Sequence, residues 1–429
     1  MAQIEDDVDE MQRWLAQGLG RAVLHLETHA SAPYRDLILR TCLYDQRFTT
    51  QGEPDRAPFL YDVLLASGDE DYFRARILAA LAAPNDDLDL DRLCGLLTEW
   101  ARRGDAECRR ALYDVAGKLA DEGWSYPADR LIDLDGWDGF VVAAEQLGAA
   151  MLAGAEDVHD GALNFIKEQL GEDEVAARLD ELRATNHLIA AYLDAIEGDE
   201  AAWKTRWAER DRQMELDYWQ FKTQLADGER RLMYRMSSWA RHNPDAPLPA
   251  IAADVLAETG PDLQASCLFL FSEVEFPLGY APLLPLLWSD ERRVVVAAGS
   301  ALEWFEHPAI RAEGLALLAA NRHPDVALGL LAADCQPGDY AIVEARLRSH
   351  ESIEELHDLG LAAQAIVREH LAPEAAEVLL YLYEHGPCAF CRERVVEHLL
   401  ELELLPDWMR YECGFDANPD IRALVRTHV

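Results

Sequence analysis

The passage "SDERRVVVAAGSALEWFEHPAIRAEGLALLAANRHPDVALGLLAAD", Ser289 to Asp334, sets the architecture. Three times within it a short polar lead precedes an apolar stretch in helical rhythm, from Ser289, from Glu306 and from Arg322. The starts lie 17 and 16 residues apart, one helix and its turn, so two of them make a unit of about 33 residues. "ANPDIRALV", from Ala417, carries the lead once more. Its chemistry suits a helix start. Asp or Asn accepts the free N–H groups there, Pro fits the first turn, and a carboxylate suits the positive end of the helix dipole. The branched residue and the Arg that follow are placed to face the layer below and the neighbouring repeat. One helix pair cannot bury its apolar face alone, whereas a stack of pairs can.

Towards the N-terminus the pattern is looser. "SAPYRDLILRTCL" starts at Ser31, "SGDEDYFRARILAAL" at Ser67 and "RGDAECRRALYDVAG" at Arg103, each 36 residues after the last. Leu37, Ile38 and Cys42 share one helical face in the first of these. Strand signals are nearly absent. No Asn-Gly or Asp-Gly hairpin is flanked by alternating β-branched residues; Asp227-Gly228 joins two helical stretches, and Asp135-Gly136 falls in a polar loop. The fold class expected is all-α. "HPAIR" (His307 to Arg311), "HPDVA" (His323 to Ala327) and "NPDIR" (Asn418 to Arg422) resemble the lead of the HEAT and HEAT-like helical repeats, of a bacterial or archaeal type. Arg is missing from the His323 copy, and the N-terminal copies lack the Pro-x-Val-Arg core. The resemblance implies an α-solenoid of antiparallel helix pairs.

Three segments follow: N-terminal helical repeats over 1–180, a long helical connector over 181–245, and C-terminal HEAT-like repeats over 246–429. From Asp199 to Arg241 the chain reads as a pair of longer central helices, one before and one after Gly228. Trp203, Trp207, Met214, Tyr218 and Phe221 form one stripe, and Leu225, Leu232, Met236 and Trp239 another. Packing of these helices on the array accounts for such stripes. An exposed aromatic ridge gripping a partner, with Trp203, Trp207 and Tyr218 as anchors, is the functional alternative. The Pro-rich "RHNPDAPLPA" that follows is the clearest boundary in the chain.

Charge narrows the partners. Against 79 acidic residues stand 39 basic ones, a formal net charge of −40. Nucleic-acid binding needs Lys and Arg to neutralise phosphates, and anionic membranes are disfavoured for the same reason. What remains is solvation, adaptation to high salt, or steering of a basic protein partner. Apolar runs such as "QASCLFLF" are far shorter than the ~20 residues that span a bilayer. The acidic "MAQIEDDVDEM" start does not read as a signal peptide. A cytoplasmic location is expected.

The most chemical-looking stretch is "HGPCAFCRERVVEH", His385 to His398. A metal site there would draw on His385, Cys388, Cys391 and, from the next helix, Cys413. A Cys388–Cys391 redox pair is a further alternative, since a helix start favours the thiolate. Cys391 and His398 are a rise of ~10.5 Å apart on one helix, a stretch for one ion. The reading preferred is a joint: one helix stops at Gly386, and a second opens after Pro387. "HLETH" (His25 to His29) is not the H-E-x-x-H of zinc proteases, because Glu27 stands one place too late. "HESIEELH" (His350, Glu354, His357) has metal-compatible spacing but reads as a solvated acidic helix. Cys42, Cys94, Cys108, Cys267 and Cys335 sit among apolar neighbours and read as buried thiols. No phosphate loop, nucleophile elbow or dinucleotide fingerprint is found. The function expected is a non-catalytic scaffold or adaptor, with no cofactor, presenting an acidic concave face to a basic protein. An inhibitor or immunity-type protein occluding a basic enzyme is one alternative, and a metal or redox protein built on the four residues above is the other.

Overall fold

The computed structural model describes residues 2–427 except 50–52, 85, 120–124, 156–158, 214–215 and 230–231, with backbone alone for 2–7, 199–203 and 206–213. Among the described residues there are α-helices and short 3-10 turns and no strand, so the chain is all-α. No helix among them is long and apolar enough to cross a membrane. Two compact units are present: Met1–Arg206 with Cys388–Phe390 and Pro406–Val429, and Trp207–Pro387 with Cys391–Leu405.

The lead residues do what a helix start requires, with variations. Asp105 accepts from the N–H groups of Glu107 and Cys108 and opens the helix Ala106–Val115. Asn418 accepts from Asp420 N ahead of Pro419–Thr427. His307 caps Pro308–Ala319 through its ring, which accepts from Ala309 N. Asp69 gives no such bond to its own helix, Glu70–Ala80. It accepts instead from Ser31 and Arg35, one repeat earlier.

That reach is general. In the first unit Arg35 meets Asp69, Arg74 meets Asp105 and Gln146 meets the Tyr113 carbonyl, at separations of 34, 31 and 33 residues. In the second, Lys222 meets Asp254, Arg292 meets Asp325, Trp304 meets the Phe271 carbonyl and Arg322 the Ser289 carbonyl, at 32 or 33 residues. Side-chain contacts thus recur at separations of 31 to 34 residues within each unit.

The first core gathers Phe59, Leu64, Phe73, Ile77, Leu96, Leu131, Phe140 and Ile189. The C-terminal helices also join this unit: Arg21 pairs with Glu412 at 2.8 Å, Arg422 with Asp62 at 2.9 Å, and Ala417 N donates to the Gly18 carbonyl. This membership of the C-terminal helices in the first unit was not legible in the sequence. The second core gathers Phe221, Met236, Phe271, Phe276, Leu287, Val295 and Leu302.

Two local expectations change. Asp135-Gly136 is a tight corner rather than an open polar loop: the span Tyr126–Leu152 is two helices that meet at Gly136, whose φ of 57° favours a residue without a side chain. The pair of longer central helices is one long helix, His187–Gln213, followed by two short ones, Tyr218–Ala226 and Leu232–His242. The restart at Tyr218 has a clear cause. Asp217 and Gln220 form a reciprocal capping box, each side chain bonding the other's backbone N–H.

Candidate functional site

The stretch around Cys388 is a joint between helices, as its sequence suggests. Ala376–His385 ends before Gly386, whose N–H bonds back to the Leu382 carbonyl, and Ala389–Glu401 begins at once. Its imidazole and thiols are sorted differently from the expected set. His385 packs its ring against Tyr381, centroids 4.4 Å apart, and Cys413 is buried at the end of Asp407–Cys413. A histidine outside the expected set, His357 on the helix Ile353–Glu369, reaches Cys391. Its Nε2 lies 3.5 Å from Cys391 Sγ. Tetrahedral zinc with bonds of ~2.3 Å to sulfur and ~2.1 Å to nitrogen holds such atoms ~3.6 Å apart. His357 and Cys391 are 34 residues apart, the spacing of the other repeat contacts. That period was the sequence signal for their meeting.

Tyr218, expected as a surface anchor, lies in the core at 1% exposure. Its hydroxyl donates to Asp254 Oδ2 at 2.7 Å, and Lys222 binds Asp254 and Glu258 beside it. Burial first, then its acidic and thiol neighbours, pushes the phenol's pKa up. It faces inward because the restarted helix turns Tyr218, Phe221 and Leu225 together onto the second core. The side chains of Trp203 and Trp207 lie outside the described residues. The exposed aromatics of this region are Trp219 and Tyr234.

Other chemical-looking groups have structural partners. His25 and His29 stack at 4.0 Å, and His25 also bonds the Tyr34 hydroxyl. His350 bonds the Leu347 carbonyl. Cys42 and Cys94 are fully buried, and desolvation pushes their thiols up to about 12, which makes them inert at neutral pH. Cys108 and Cys267 are buried too, while Cys335 is half-buried. In the first unit Arg47, Arg56 and Arg92 knit Asp45, Glu53 and Asp89 into an ion network under the segment before Ala57. The cavity beside it is about 10 Å³, room for no more than a water.

A wide concavity lies in the second unit. The helices Arg292–Leu302 and Ile353–Glu369 each pack on Pro324–Gly329. Along them run two adjoining hollows of about 390 and about 300 Å³, with Glu303, Gly329, Leu330 and Ala365 lining both. Val296 and Leu361, 38% and 41% exposed, contribute apolar surface. Gly299 lets two of these helices approach, since a Cβ there would meet Val326 Cγ1 at 2.7 Å. No family model matches the chain, and no curated protein matches it.

Proposed function

We propose that the chain is a non-catalytic interaction scaffold, a HEAT-like α-solenoid whose acidic surface holds a basic protein partner. The observation that supports it is the recurrence of side-chain contacts at 31 to 34 residues in both units, which is how stacked repeats meet. The formal charge of −40 supplies the choice of partner, through long-range steering and complementarity. The test is capture from the source extract at about 50 and about 500 mM salt, then titration calorimetry with the purified captured protein. A basic protein whose affinity falls at least tenfold at the higher salt is the expected result. Neutral or acidic proteins bound equally at both salts would overturn the proposal.

A second reading rests on His357 and Cys391 of the second unit, whose Nε2 and Sγ lie 3.5 Å apart, a spacing that fits two ligands of a thiophilic divalent cation such as zinc. Such an ion would lock the joint between helices rather than run a reaction. Mass-spectrometric metal content of the purified protein checks it. Stoichiometric zinc that vanishes in Cys391→Ser supports the reading, and metal-free protein after growth in zinc ends it.

A further inference from the structure

Along the second unit's concavity, shape and charge together describe what would fit. Asp358 and Glu369 bracket its stretch of the Ile353–Glu369 helix, 11 residues apart, or ~16 Å at 1.5 Å per residue. That is three turns of a helix. The floor is apolar, through Val296, Val326, Leu330 and Leu361. Its cations are already matched, Arg292 to Asp325 and Arg368 to Glu369. Glu303 and Glu306 form no ion pair among the described residues and Asp358 only a 4.0 Å contact with the neighbouring His357 ring, while Arg368 and Arg292 act on Glu303 and Asp358 at longer range. The hollow thus offers grease along its length and a surplus of carboxylates at its rim.

We propose that this groove is a docking site for a short amphipathic basic helix, three turns long, that seats apolar side chains at i, i+3/i+4 and i+7 on the floor and sets Lys or Arg against Glu303, Glu306 and Asp358. Helix-in-groove recognition reads those spacings, and the acidic rim selects the basic class. The inference rests on the scaffold reading and gives it a seat. Gly329 provides a clean test. It lines both hollows, its φ is −54°, and a Cβ added there meets nothing within 4 Å. Gly329→Leu therefore places a side chain in the groove without straining the fold.

The probes are two fluorescein-labelled peptides of equal composition and charge: a Leu/Lys peptide with its leucines on one helical face, and a scramble without that face. Binding to the full chain is followed by anisotropy. The intact protein should bind the amphipathic peptide at least tenfold more tightly than the scramble, with the preference abolished in Gly329→Leu. Glu306→Lys/Asp358→Lys, changing two exposed residues, should weaken the amphipathic peptide by a similar factor and guards against a misfolded plug variant. Equal binding of the two peptides by the intact protein, or an undiminished preference in either folded variant, overturns the groove. Neither outcome touches the salt-dependent capture that tests the broader reading, so the two can fail separately.

Discussion

The pair Arg311–Asp339 allows the repeat-to-repeat contacts to be weighed. Arg311 follows the His307-Pro308 lead, and its Nε and Nη2 each donate to the Asp339 carboxylate at 2.7 Å. Asp339 also accepts from Gln336 N at 2.9 Å. Its side chain is 2% exposed and that of Arg311 24%. Removing the arginine leaves a buried carboxylate with one backbone donor, which should cost about 3 kcal/mol. A double-mutant cycle of Arg311→Met and Asp339→Asn should yield a coupling of about 2 kcal/mol, reflecting two charge-assisted bonds net of desolvation. The control is Arg348–Glu344, whose arginine is 53% exposed and for which about 0.5 kcal/mol is expected. Both cycles are read from urea midpoints at neutral pH, with slopes checked for constancy. Acid supplies a second readout. Burial alone would raise the Asp339 pKa, but the bonds from Arg311 and Gln336 outweigh it and the net shift is downward. The stabilisation is then present above the unfolded carboxylate value of ~3.9 and fades as pH falls through the lower native value. A coupling no larger than the control's, or one unchanged by acid, would refute the argument.

Two further outcomes are expected. Burial, joined by the nearby Asp91, pushes Asp129 up to about 6 despite Arg130. Ionising it therefore costs native stability as pH rises from about 4 through 6, and Asp129→Asn should stabilise by about 1–3 kcal/mol at pH 8 and hardly at all at pH 4; equal gains in thermal unfolding at both pH values would contradict this. Gly148 sits where a Cβ would meet the Leu188 carbonyl oxygen at 1.8 Å, so Gly148→Ala should cost about 2–3 kcal/mol. Gly329→Ala, in open space, should gain about 0.5–1 kcal/mol, and denaturation midpoints moving the same way in both variants would count against the packing account.

Much of the local architecture was legible because helix starts announce themselves chemically. Pro308, Pro324 and Pro419 each open a helix, as the leads imply. The Arg placed after the lead was expected to face the neighbouring repeat, and Arg35, Arg74, Arg292 and Arg311 do reach carboxylates 28 to 34 residues on. What escaped was of two kinds. The restart at Tyr218 hid in a short capping box inside a continuous apolar rhythm, so periodicity alone could not place it. The partner of Cys391 escaped because it lies 34 residues away, outside any local motif. His357 carried no stronger local signal than His385, and the period, applied to the cysteines, was the missing step.

The use of arginine links these contacts to the outward charge. Only four lysines are present, and a planar guanidinium can engage a carboxylate through two parallel bonds where an ammonium cannot. Arg35 and Arg311 do so between helices, at separations of 34 and 28 residues. The lead Asp is the receiving end, and its two uses compete. Asp105 both caps its helix and takes Arg74, whereas Asp69 leaves its helix uncapped and gives its oxygens to Ser31 and Arg35. Cations held in this way are neutralised inside the fold, while carboxylates outnumber them two to one. The ion pairs thus consume the cations and leave carboxylates in excess.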